Sequence, residues 1–291
     1  MRLHKGLMIS AMAAVGLLGL TGCVDSGAPT AESSAPVDET VEFEAGTTMA
    51  RLNEAGAITI GTKFDQPLFG QVDASGSPQG FDVEIAKIIA SKLGIPETGI
   101  TWTETVSANR EPFIESGEVD LVVATYTIND KRKEVVSFAG PYYNAGQDIL
   151  VLAGNPEGIA GPEDLAGKPV CTVAGSTSEA NIAEYTDQVT ALAGYAECLP
   201  LVSSGQVVAL TTDNVILAGL ADGSNGEFEV VGAPFTEEPY GIGLKLDDTD
   251  FREFINDVLQ ESFDDGTWAA AWEATAGTVL PLPDPPTIDR Y

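Results

Sequence analysis

A chain of 291 residues and 30.3 kDa, 44% of it apolar by residue type, is long enough to bury one large core or two of ordinary size. Its 44 acidic side chains against 14 basic ones set a formal charge of -30, which repels phosphate backbones and argues against a nucleic-acid partner. The one histidine, His4, lies in the first few residues, so Ser-His-Asp catalysis, Cys-His catalysis and histidine metal sites are excluded from the rest, and neither a metal nor a cofactor is expected.

Arg2 and Lys5 precede an apolar, small-residue run from Gly6 to Gly22. That run is short for a spanning helix, which needs roughly 20 apolar residues, and has the build of an export signal. It ends in Leu20-Thr21-Gly22-Cys23, which resembles a bacterial lipobox. Cleavage after residue 22 would leave Cys23 lipidated and anchored to the outer face of the membrane; an ordinary signal with a stray cysteine is the plainer alternative. Removal of residues 1–22 leaves 12 basic side chains and a charge of -32. Residues 23–46 are rich in Ser, Pro, Ala, Gly and acids without an apolar period, the composition of a flexible tether. Cys171 and Cys198 remain as an even pair in an oxidising compartment, either bridged or two buried thiols.

From residue 47 the pattern alternates. Met49-Ala50-Arg51-Leu52 is helix-like, Ile58–Thr62 reads as a strand, and 82–93 reads as a helix with Val83, Ala86, Ile89, Ala90 and Leu93 on one face. Strands are expected at 120–124, 149–153, Val170–Val173, 207–211 and 230–231. Helices are expected at 178–185, 214–219 and 251–263, the last with Phe251, Phe254, Ile255, Val258 and Leu259 inward. The proline-rich stretch from Leu280 to Pro286 reads as extended surface chain, and no internal repeat is visible. Alternation of this kind predicts an α/β fold.

The segment Gly80-Phe81-Asp82-Val83-Glu84-Ile85-Ala86 is similar to a signature of the family 3 extracellular solute-binding proteins, the amino-acid receptors of ABC importers; a turn followed by a helix that Asp82 caps is the plainer alternative. Gly117–Leu121, Thr125–Arg132, Phe138–Tyr143, Gly175–Glu179 and Thr212–Ala218 follow in family order, so the resemblance covers roughly 48–275. Gly61–Pro67 and Pro285–Tyr291 resemble actinobacterial glutamate-type lipoprotein receptors. What the resemblance implies is a two-lobe periplasmic-binding-protein-like fold (type II) with the ligand in a cleft between lobes. Its crossovers would fall near Ala145–Ile149 and Glu238–Ile242. Lobe 1 would then comprise 47–147 and 241–291, and lobe 2 would comprise 148–240. One departure is Val208, where many relatives carry an acid.

The residues also make chemical sense by type. A free amino acid presents a carboxylate and an ammonium, both costly to desolvate unpaired. Arg132 offers a planar fork for the carboxylate, with Thr125 and Thr127 on the same segment; a solvated charged turn is the alternative. Asp213 suits the ammonium or caps a helix, and Ser176, Thr177 and Ser178 either receive an anion at a strand-to-helix turn or simply cap it. Ser107-Ala108-Asn109-Arg110 is similar to the Ser-x-Asn-Arg segment of aspartate/glutamate receptors, which implies that Ser107 and Arg110 hold a side-chain carboxylate, helped by Lys63; Tyr195 stands where some relatives place a histidine near the ligand. The expectation is therefore a monomeric, lipid-anchored receptor that hands glutamate or aspartate to ABC permease subunits. Glutamine or asparagine is the alternative ligand, and a cyclohexadienyl-dehydratase-like enzyme or a sensing ectodomain is the alternative class. No motif nominates a proton-transfer acid for the enzyme.

Overall fold

The computed structural model describes residue 37 and residues 40–291, so the expected signal segment and Cys23 lie outside the described residues. Thr47 caps α1 (Thr48–Ala55), its hydroxyl accepting from the Ala50 N–H, and the chain then enters β1 (Ile58–Thr62). Three short strands, β2 (Asp65–Gln66), β3 (Gly70–Val72) and β4 (Pro78–Gln79), form a small antiparallel sheet. Helix α2 (Phe81–Lys92) follows. Its cap is Gly80, not Asp82, and the first N–H groups of Phe81 and Asp82 donate to Leu68 O and Phe69 O. That arrangement frees the Asp82 side chain for a distant partner.

After α2 come β5 (Ile100–Glu104), α3 (Arg110–Ser116), β6 (Leu121–Val122), α4 (Asp130–Lys133) and the long β7 (Val136–Ala145). The ladder at β6 is shorter than the apolar run 120–124, because the chain leaves it to reach Thr125 at φ 44°. Gly146 alone separates β7 from β8 (Gln147–Leu152). There follow β9 (Val170–Val173), α5 (Thr177–Ile182), β10 (Val189–Leu192), α6 (Leu199–Ser203), β11 (Ala209–Asp213), α7 (Asn214–Asp222) and β12 (Phe228–Val230). Then β13 (Glu238–Lys245) leads into α8 (Thr249–Asp265) and α9 (Thr267–Ala274).

The strands form two sheets of one design. In the first, ordered β5-β1-β6-β13-β7, the trio β5-β1-β6 is parallel and β13 and β7 add antiparallel pairings. In the second, ordered β10-β9-β11-β8-β12, the trio β10-β9-β11 is parallel and β8 and β12 play the antiparallel role. This is the α/β, two-lobe type II architecture. Glu238 pairs with Ala145 in the first sheet, and the Phe235 N–H donates to Gln147 O of the second at 2.9 Å. Strand β11 runs to Asp213 opposite Gln147, two residues beyond the expected 207–211.

Burial explains how the first sheet holds its helices. Helix α2 is buried along most of its length because it sits between the sheet and α8 and α9; Ile85, Ala86 and Ile89 are fully enclosed. Trp268 and Trp272 lie 1% exposed beside it, and Trp272 stacks on Tyr143 of β7 at 5.0 Å. Each such aromatic removes roughly 150–250 Å² from water, the largest single contributions to this core. Phe43 packs edge-on against Phe254 of α8 at 5.4 Å, so the end of the 23–46 stretch belongs to the folded body. In the second lobe Cys171 of β9 is bridged to Cys198, Cα to Cα 5.7 Å, tying the strand to the turn before α6.

Candidate functional site

Both parallel trios end at the same place. Ligands in open α/β sheets bind beyond the carboxyl ends of parallel strands, and here the ends of β1, β5 and β6 face those of β9, β10 and β11. Ser107, Arg110, Thr125, Thr127, Ser176, Thr177, Ser178, Tyr195, Asp213 and Ile216 line one small cavity between them.

On the first-lobe side, Lys63 follows β1 and is 3% exposed; its Nζ donates to Ser107 Oγ at 2.9 Å. Burial, and then the neighbouring Arg110 charge, pull the Lys63 pKa down to about 7. Arg110 opens α3 and lies over the Tyr126 ring, 4.3 Å from its centroid. Its Nε donates to Ser107 O at 3.2 Å and its Nη1 to Ala124 O and Thr125 O, both at 3.3 Å.

Thr125 adopts φ 44°, a left-handed conformation that costs a β-branched residue roughly 1–3 kcal/mol. Three contacts over-determine it. Its N–H donates to Asp82 Oδ2 at 2.8 Å, its hydroxyl to Gln66 Oε1 at 3.0 Å, and its carbonyl accepts from Arg110. The other Asp82 oxygen accepts from Tyr142 Oη at 2.6 Å. Asp82 is wholly enclosed, and burial drives its pKa up to about 7 against these donors.

Arg132 lies in α4, whose cap is Asn129 Oδ1 accepting from the Arg132 N–H. Its Nη1 donates to Thr127 O at 2.7 Å, its Nε sits 3.2 Å from Glu111, and its Nη2 reaches across the cleft to Gly175 O at 3.3 Å. It lines the wider mouth outside the cavity, together with Glu111, Asn129 and the turn Gly175–Thr177. Burial followed by Arg110 lowers its pKa to about 10.

The second-lobe side is built from hydroxyls and an acid. Gly175 turns at φ 75°, and a Cβ there would stand 2.9 Å from Ala108 Cα, so a side chain would wedge the lobes apart. Ser176 caps α5 by accepting from the Glu179 N–H at 3.0 Å. Thr177 Oγ1 donates to Glu238 Oε2 at 2.8 Å and lies 3.5 Å from Thr127 Oγ1. Ser178 Oγ sits 3.4 Å from Thr212 Oγ1. Tyr195 follows β10, and its N–H donates to Asp65 Oδ2 of the first lobe at 2.9 Å; burial raises its phenol to about 12.

Asp213 occupies the cap position of α7 without making a side-chain cap bond. Its Oδ2 accepts from Tyr240 Oη at 2.6 Å, whereas its Oδ1 is buried without a partner. An unpaired carboxylate oxygen at 4% exposure is costly to the folded chain. Burial, then the Glu238 charge, raise its pKa to about 7. A cation placed there would reverse both effects.

The roles of Gln66, Asp82, Glu111 and Glu238, and of Asp65 as a bridge between lobes, leave no local signal in the sequence. Each acts through a partner 20 or more residues away in the chain, where no local spacing signals it. Among the described residues no group of His, Cys, Asp and Glu could hold a metal ion, and no helix is long and apolar enough to cross a membrane.

Residues 58–274 match the model of the bacterial extracellular solute-binding proteins, family 3. The glutamate-binding protein GluB of Corynebacterium efficiens is 39% identical over 78% of this chain and 81% of its own. The ABC transporter glutamine-binding protein GlnH of Bacillus subtilis is 40% identical over 76% of this chain and 81% of its own. Among solved structures, an ancestral arginine-binding protein bound to glutamine superposes with a TM-score of 0.69 at 35% identity, covering 75% of this chain and 96% of that one.

Proposed function

This chain belongs to the bacterial extracellular solute-binding proteins, family 3, and from that membership we propose that it is the receptor of an ABC importer for an acidic amino acid, glutamate or aspartate, tethered through a lipidated Cys23. The similarity itself does not choose the ligand, because a glutamate binder and a glutamine binder stand at 39% and 40% identity. The choice rests on the charge pattern of the cavity.

The observation that carries the reading is the opposition across the cleft. Lys63 and Arg110 converge on Ser107 at one side, and the unpartnered Oδ1 of Asp213 waits at the other. Among the described residues no carboxylate lies within ion-pair distance of Lys63 or Arg110. Two buried basic groups without a direct counter-ion, one held down to a pKa of about 7, favour a ligand that supplies a negative charge. In this reading the ligand's ammonium meets Asp213, its side-chain carboxylate meets Arg110, Lys63 and Ser107, and its α-carboxylate displaces Gly175 O from Arg132. Thr125, Thr127, Ser176, Thr177, Ser178 and Tyr195 complete the enclosure. Closure brings the lobe of residues 47–147 and 241–291 onto the lobe of residues 148–240. The Asp65–Tyr195 bond holds the closed form for the permease.

Glutamate and glutamine are nearly isosteric, so discrimination must come from charge. A charge-assisted pair is worth roughly 1.5–3 kcal/mol, a tenfold to hundredfold preference. Calorimetry with both ligands tests this. Arg110→Met should weaken glutamate by that factor and leave glutamine within a few-fold. Equal weakening of both would return Arg110 to a folding role and leave the amide as the better ligand.

A further inference from the structure

We propose that Asp82, a residue outside the cavity, is the positioning residue that aims Arg110 at the ligand's side-chain carboxylate, acting through the single peptide unit between Ala124 and Thr125. The inference rests on the acidic-ligand reading and extends it to a residue that touches no ligand.

A trans peptide holds its N–H and C=O in one plane, pointing in opposite directions. At this unit the Thr125 N–H donates to Asp82 Oδ2 at 2.8 Å, and the Ala124 C=O accepts from Arg110 Nη1 at 3.3 Å. An anion therefore sits at the positive end of the peptide dipole and a cation at its negative end. Fixing one end fixes the other. Thr125 O, the next carbonyl along, accepts from the same Nη1 at 3.3 Å, so Arg110 is seated between two carbonyls whose directions depend on the left-handed φ of Thr125.

That backbone conformation needs a holder. Asp82 is rigid enough to serve: it is fully buried, and its Oδ1 accepts from Tyr142 Oη at 2.6 Å. It lies on α2 beside Phe81, Ile85 and Ala86 of the first lobe's buried core. Gly80 caps that helix, so the Asp82 carboxylate has no local duty. Gln66, donated to by the Thr125 hydroxyl, supports the side chain of Thr125 but not its peptide. With Asp82 removed, the Thr125 N–H is left buried and unpaired, and the strained turn relaxes toward an ordinary conformation. The two carbonyls then swing and Arg110 loses its seat.

The test compares glutamate and glutamine affinities for the full-length protein and for D82A, D82N and Y142F, alongside thermal midpoints. Asp82→Ala should cut the preference for glutamate over glutamine roughly tenfold, the worth of one charge-assisted contact, with glutamine affinity held within about threefold. Asp82→Asn, whose amide oxygen still accepts the Thr125 N–H, should restore most of that preference. Tyr142→Phe should lower it partially, and serves with Asp82→Asn if Asp82→Ala does not fold. A merely structural Asp82 would lower the midpoint and weaken both ligands equally, or neither; an unchanged preference in Asp82→Ala, or in Tyr142→Phe where the alanine variant fails to fold, overturns the inference while leaving the acidic-ligand reading intact. A wild-type protein with no preference for glutamate overturns that reading and the inference with it.

Discussion

The two sheets share one plan, a parallel trio flanked by two antiparallel strands, yet they offer opposite chemistry at the trio's ends. Beyond β1, β5 and β6 stand Lys63, Arg110 and the strained Thr125, each fixed by partners within the first lobe. Beyond β9, β10 and β11 stand Ser176, Tyr195 and Asp213, whose neighbours include residues from the first sheet or its loops. The lesson is that identical topology sets where groups are delivered and not what they are. The first lobe presents a preformed cationic wall, whereas the second completes its own side only on closure.

The comparison breaks most sharply at Arg132, which belongs to the first lobe but bonds Gly175 O of the second. Arg132→Ala should abolish binding of every amino acid tested, since all share the α-carboxylate. Leaving that group buried and unpaired costs about 3–5 kcal/mol. Retention of affinity within a few-fold in calorimetry would place Arg132 outside ligand recognition.

A second test asks whether the second lobe depends on its covalent tie. Cys171 and Cys198 close a loop with a sequence separation of 27, for which loop entropy assigns roughly 3–4 kcal/mol. Reduction, or Cys198→Ser, should lower the unfolding free energy measured in denaturant by about that much, and both cysteines should resist alkylation in the native, unreduced protein.

The smallest expected effect is a pH slope. Asp213 titrates at about 7 in the folded chain against a usual 3.8, so between these values the folded state holds a proton that the unfolded state has released. Stability from this group is therefore highest at pH 4 and falls as pH rises to 7. Asp82 acts in the same direction, and Lys63, lowered from 10.5 to about 7, acts oppositely above neutrality. Asp213→Asn should flatten the ligand-free melting curve between pH 4 and 7. A slope unchanged by the substitution would mean that Asp213 is ionised and solvated in the free protein.

What the sequence made legible was local. Val170–Val173 is an unbroken apolar-rich run bounded by turn residues, and it is a strand over those residues. Helix 251–263 announced itself through Phe251, Ile255, Val258 and Leu259, and it is longer only by its capped ends. Most residues nominated for the ligand lie together because they follow the strand ends of the two trios, with Arg110 opening α3 and Arg132 on α4 at the mouth. What stayed hidden is long-range. Asp82 and Asp213 both read as helix caps, yet neither side chain caps its helix; one reaches Thr125 and Tyr142, the other Tyr240. A carboxylate at a helix start has two available fates, and only the packing of β7 and β13 decides between them. The repeated sheet plan was invisible for a related reason, since it lies in pairing order and leaves no echo in side-chain type.

The aromatic layer behind Asp213 has an optical consequence. Tyr240, bonded to Asp213, packs against Tyr143 at 5.8 Å, and Tyr143 stacks on Trp272, which in turn stacks on Trp268. Two of the chain's three indoles are thus buried at the end of a continuous run of rings that starts at the cleft. Any charge that settles on Asp213 alters the field along that run. The ultraviolet emission of the native protein should therefore shift as its own cleft fills, with no dye and no engineered label.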